Sequence, residues 1–92
     1  MEDPNIQIGQ IVKSIQGRDK GRNFVVIGEY DKDHILIADG KLRKISKPKK
    51  KKRKHVARYN VLSEEIRESI LSGRRVSNAF IKKELERLGM KQ

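Results

Sequence analysis

A chain of 92 residues, 35% apolar and 38% charged, has room for one small domain with a thin core whose stability leans on a partner. It has no cysteine, which excludes disulfides, thiolate catalysis and cysteine-ligated zinc, and no apolar run long enough to span a bilayer. Its net charge of +11 points to an anionic partner, and the acidic, polar start "MEDPN" is unlike a secretory leader, so a soluble cytoplasmic protein is expected.

In chain order, apolar residues gather at Ile6, Ile8, Ile11, Val12 and Ile15, then at Phe24 to Ile27, then at Ile35 to Ile37. These short, β-branched runs bounded by Gly, Asp and Asn carry the strand signature. The first run changes phase near Gly9, where a bend or bulge is expected. Between the runs, "GRDKGR" places Gly17 and Gly21 where a tight turn needs positive φ. "EYDKDH" reads as a polar hairpin loop, and Asp39-Gly40 as a two-residue hairpin signal. Leu42 and Ile45 suggest a fourth strand, which Pro48 would confine to an edge. Four or five strands at this spacing, with no helix between them, predict a small β-barrel.

The charge is concentrated in the next segment. Residues 1–45 carry eight Lys/Arg against seven Asp/Glu, whereas residues 46–58, with "KPKKKKRKHVAR", carry eight against none. Such a run has three readings: a solvated linker, a nuclear import signal, or a phosphate-binding strand extension. The third is favoured, because lysine ammoniums gain by displacing counterions condensed on a nucleic acid. Contact of about six to eight cations with phosphate predicts a log K against log salt slope of about −4 to −7. The contact set in this run is Lys47, Lys49, Lys50, Lys51, Lys52, Arg53 and Lys54, followed by His55 and Arg58. His55 has two readings, a base or phosphate contact and a half-buried ring beside Val56; Tyr59 could likewise stack on a base or anchor the tail. With four aromatic residues in all, extended base stacking is not expected.

Beyond the run the period becomes helical. Ser63 can cap a helix with Glu64 and Glu65 in its first turn, Ile66, Ile70 and Leu71 on its apolar stripe and Gly73 at its end. Ser77 can cap a second, with Phe80, Ile81, Leu85 and Leu88 on one face and Gly89 closing it. The near-neutral second helix argues against a groove-reading helix-turn-helix, so packing on the barrel or on a protein partner is expected instead. The two serines are better helix caps than nucleophiles. His34 with Asp31 and Asp33 reads as a loop rather than a metal site, so no enzyme, metal or cofactor is expected.

The turn has its own two readings, an ordinary hairpin with solvated charges or an anion contact. It is not a Walker loop, because three residues rather than four separate its glycines. "GQIVKSIQGRDKGRNFVVIGEYDKDHILIADGK" resembles a KOW motif, the RNA-binding signature of several ribosomal proteins and NusG-type factors, with Gly21 at the signature glycine. "DGKLRKISKPKKKKRKHV" and "SGRRVSNAFIKKEL" extend the likeness to small bacterial KOW-domain RNA-binding proteins related to a large-subunit ribosomal protein of archaea and eukaryotes. Many bacterial KOW proteins have a glycine soon after the Lys-Gly pair; "RNFVVI" stands there instead, which favours the ribosomal-type subgroup.

The resemblance implies an SH3-like barrel over residues 1–46, a basic RNA-binding extension over 47–58 and a helical tail over 59–92. It implies a non-enzymatic ribonucleoprotein component that binds structured RNA, namely ribosomal RNA of the large subunit, and that is monomeric off the RNA. Arg18, Lys20 and Arg22 become backbone contacts by carry-over, and Lys41, Arg43 and Lys44 continue that surface into the lysine run. The rival reading is a protein-interaction adaptor for a transcription or translation factor, in which the lysines only tune solubility.

Overall fold

The computed structural model describes residues 6–92. Five strands, β1 (Gln10–Ser14), β2 (Asn23–Glu29), β3 (His34–Ala38), β4 (Lys49–Lys52) and β5 (Val56–Leu62), precede two helices, α1 (Glu64–Leu71) and α2 (Asn78–Arg87). The strands pair antiparallel in one sheet of order β4-β3-β2-β1-β5. The chain crosses from one edge strand, β4, to the other, β5, through the three-residue 3₁₀ helix Arg53–His55.

The apolar runs are continuous because the sheet is covered on both faces. Val12, Phe24, Val26, Ile35 and Ile37 join Ile6 and Val56 in one buried cluster. The alternate positions Ile11, Val25 and Ala38 join Ile66, Val76, Ile81 and Leu85 from the helical tail in a second. Each fully buried aliphatic side chain contributes about 1.5–3 kcal/mol, which is what holds helices too short to persist alone. Their ends follow sequence: Ser63 and Ser77 accept from the N–H of Ile66 and Phe80, and Gly73 and Gly89 adopt φ of +78° and +75° just past each helix. Leu71, by contrast, is 59% exposed rather than part of the stripe, since it points about 100° away from Ile70.

The fourth strand is not at Leu42 and Ile45. Residues 39–48 form an irregular connection, and Leu42 is exposed. The buried Asp39 carboxylate accepts from the N–H of Lys41 and of Arg43 at 2.9 Å each, while the N–H of Asp39 and of Gly40 donate to the Arg43 carbonyl. These groups are thereby used up in a turn and are not offered to a ladder. The two-residue hairpin expected at Asp39-Gly40 is therefore the start of a ten-residue connection, residues 39–48. Gly40 (φ +77°) backs onto α2 so closely that a Cβ there would lie 2.4 Å from the Asn78 carbonyl oxygen. The next strand is Lys49–Lys52, paired with β3 in the register Ile37↔Lys49 to His34↔Lys52. The sheet thus runs on past residue 46 and takes in β4 and β5.

The phase change near Gly9 has two parts. Gly9 turns the chain at φ +92° against Ser63 and Arg67, and the β1–β5 register slips between Gln10 and Val12. Gln10 repairs the slip: its buried amide donates to the carbonyls of Tyr59 (2.6 Å) and Val61 (2.8 Å). Gln10→Leu keeps the volume and strands both acceptors, so the unfolding free energy should fall by about 1–3 kcal/mol, read from urea midpoints at unchanged m-value.

Candidate nucleic-acid interface

The turn after β1 is closed by Ser14 N–H donating to the Arg22 carbonyl (2.9 Å) and Gly21 N–H to the Ser14 carbonyl (2.8 Å). Gly17 and Gly21, at φ of +91° and +92°, supply the conformation it needs. Asp19, inside the turn, faces inward rather than outward. Its carboxylate accepts from Ser14 Oγ (2.6 Å), Lys49 Nζ (2.7 Å) and Lys51 Nζ (2.8 Å), and Lys51 Nζ also donates to the Gln16 carbonyl (2.6 Å). Burial raises the pKa of Asp19, but the hydrogen bonds from Lys49, Lys51 and Ser14 outweigh it and hold the group far below the usual carboxylate range.

Strand alternation therefore sorts the lysine run. Lys49 and Lys51 turn toward Asp19, with Lys51 only 6% exposed, while Lys50 and Lys52 stand out to solvent. Arg53 is also engaged: its guanidinium donates to the Ile6 carbonyl at 3.1 Å and lies 3.4 Å from Glu29. The half-buried His55 is pushed below the ordinary histidine pKa by desolvation and by the charges of Lys52, Lys54 and Lys51, so its ring is neutral near pH 7. The expected contact residues of 47–58 therefore differ in setting: Lys51 is buried against Asp19, whereas Lys50, Lys52 and Lys54 are exposed.

Other expected contacts do converge. Arg18 and Arg22 from the turn, Arg43 from the 39–48 connection and Lys49 from β4 surround a groove of about 280 Å³. Phe24 and Leu42 add apolar lining, and Asp19 also lines it. Arg22 reaches Asp39 at 3.5 Å, and its buried Nε has no hydrogen-bond partner among the described residues. Arg18, Lys20, Lys41, Arg43, Lys44 and Lys47 are exposed. Lys41, however, faces the other side of its loop, where it lines a depression of about 200 Å³ with Lys82 and Lys91. Lys54 and Arg58 are exposed beyond β4, Arg58 on β5.

The chain matches no family model, and no curated protein matches it. Its chemistry is thus read from the groove. Arginine guanidinium groups offer planar, forked donors suited to phosphate oxygens, and a lysine adds a point charge. The serines hold the scaffold: Ser63 Oγ donates to Glu84 Oε1 at 2.7 Å while capping α1. The hydrogen bonds from Arg87, at 2.7 and 3.0 Å, outweigh burial and hold Glu84 below its ordinary pKa. Among the described residues no group of three or more His, Cys, Asp or Glu could hold a metal ion, and no helix is long and apolar enough to cross a membrane. Tyr59 donates from its hydroxyl to Asn23 Oδ1 at 2.6 Å, and Asn23 Nδ2 donates to the Met90 carbonyl at 3.1 Å, so this ring anchors the tail.

Asp19 and Asp39 pair with cations of the candidate interface, and neither was expected there from the sequence. Both are acids inside basic stretches, and in each case a neighbouring glycine signals a turn that can fold a side chain back onto its own loop.

Proposed function

We propose that this protein binds structured RNA, ribosomal RNA of the large subunit, and catalyses no reaction. The observation that carries this reading is the gathering of Arg18, Arg22, Arg43 and Lys49, from three separate segments, around one groove. Asp19 and Asp39 hold Lys49 and Arg22 in place before any ligand arrives, so less side-chain freedom is lost when phosphate binds. The outward Lys50, Lys52 and Lys54 extend the positive surface along the edge strand. Contacts of this kind position a protein on a folded backbone, and the shape of the RNA selects the site.

The same reading takes the sheet as an SH3-like barrel of the KOW type. Its support is the strand order together with the 3₁₀ link between the two edge strands. It also takes the cytoplasm as the compartment.

Sedimentation of a native lysate through sucrose tests the proposal. Co-migration with the large ribosomal subunit, lost progressively as salt rises, is the expected result; a protein that stays at the top of a low-salt gradient sinks the ribosomal assignment. The sorting of the lysines gives a finer expectation. The triple variant K50Q/K52Q/K54Q should reduce the magnitude of the salt slope by about 2–3, and K51M should leave the slope of the folded protein unchanged. Fluorescence anisotropy across a salt series measures both, and equal effects would mean that Lys51 reaches phosphate after all.

A further inference from the structure

We propose that Tyr30 is a stacking platform for one unpaired nucleobase, with that nucleotide's phosphate held between Lys52 and Lys54; this rests on the RNA reading above. Of the four aromatic rings, Phe24 is buried, Phe80 is half-buried in the second core and Tyr59 is bonded to Asn23. Tyr30 alone is open, at 58% exposure. A ring left so far in water favours a partner with an apolar face.

The platform is built and held. The N–H of Tyr30 donates to the His34 carbonyl at 3.1 Å, which fixes it at the mouth of the β2–β3 hairpin. The His34 ring meets it edge-on, with centroids 6.3 Å apart and planes at 78°, and is itself tied to Asp31 through Nδ1 at 2.8 Å. Lys50 Nζ lies 4.6 Å from the Tyr30 centroid, a cation over the π face. The tyrosine therefore sits at the end of the lysine strand, at the opposite end from the turn that holds Asp19.

The surroundings identify the occupant as a nucleotide. Lys52 lies directly opposite His34 in the β3–β4 register, and His34, Lys52, Lys54 and Asp33 line a depression of about 350 Å³. Two ammonium groups there suit a phosphate. Asp33, the carboxylate among the described lining residues, is an acceptor, and the ribose 2′-hydroxyl, which DNA lacks, is a donor of an RNA nucleotide that suits it. A base on the ring and a phosphate in the depression thus use each group in its own chemical sense. A fully paired helix could not reach the ring with a base face, so the platform calls for a bulge, loop or end.

The test compares two synthetic RNA hairpins of equal length, one fully paired and one carrying a single bulged nucleotide, binding to the full chain. Wild-type protein should bind the bulged hairpin about tenfold more tightly and lose part of its tyrosine emission on doing so. Y30A should abolish the preference and the quenching while leaving affinity for the paired hairpin unchanged, and Y30F should retain the preference but not the quenching, because it keeps the ring face and removes the emitting phenol. Melting temperatures of both variants should match wild type. The platform is overturned if both hairpins bind equally and with salt dependence, or if Y30A weakens both alike. If neither hairpin binds in a salt-dependent way, the RNA reading itself fails and the platform fails with it.

Discussion

Replacing Asp19 with alanine lowers the unfolding free energy by about 3 kcal/mol, the cost of leaving a buried cation without its partner. Lys51, at 6% exposure, loses its one carboxylate partner among the described residues, and Lys49 loses the same partner. The turn also loses its tie to β4, since Ser14 Oγ and both lysines meet on that one group. The variant K51M should be milder, because it removes the charge together with the need to pair it. Urea unfolding of both proteins decides the matter: an Asp19→Ala variant within 1 kcal/mol of wild type would mean that the cluster is solvated and contributes little.

Acid should reveal the same group. In the unfolded chain an aspartate titrates near pH 3.9, whereas the folded value of Asp19 lies far below this. Because the folded pKa is depressed, the stabilisation is complete above the unfolded value and is lost as the pH falls from about 4 toward the folded one. Asp19→Asn should flatten that part of the stability profile, and an unchanged acid limb would place the titrating group elsewhere.

The variant R18E/R22Q/R43E should weaken RNA binding about a hundredfold or more at 0.1 M salt, since several phosphate contacts are lost and two become repulsive. Arg22 is neutralised rather than reversed because a second carboxylate beside the buried Asp39 would strain the fold. R74E/R75E/K83Q removes the same amount of charge from exposed positions on the helical tail and serves as the control. It should cost about tenfold or less, through long-range attraction alone. If the two variants bind equally weakly, net charge and not the groove governs binding. Anisotropy titrations in a single buffer are sufficient, with circular dichroism to verify folding.

Local chemistry made much of the molecule legible. Glycines at 17 and 21 mark a turn that needs positive φ, serines at 63 and 77 mark helix starts, and the β-branched runs mark β1, β2 and β3. The hairpin loop of residues 30–33 is where its polar sequence put it. These features depend on interactions within a few residues, so a short window contains their cause.

The lysine strand is different. Lysine has low strand propensity, and a run of like charges repels itself. Residues 49–52 nevertheless form β4, because β3 offers a free edge and Asp19, 30 residues before Lys49, pairs with two of the four ammonium groups and offsets part of their charge. The same is true of β5, whose broken register with β1 is bridged by Gln10 from some 50 residues away. The groove belongs with them, since Arg18, Arg43 and Lys49 become neighbours only after β4 has docked. Composition and spacing determined that the chain would be a small, strongly basic β-rich domain with two capped helices. Which cations face solvent, and which are spent on holding the fold, was settled by contacts between distant segments, because the cost of burying a charge depends on what is opposite it and not on its neighbours in sequence.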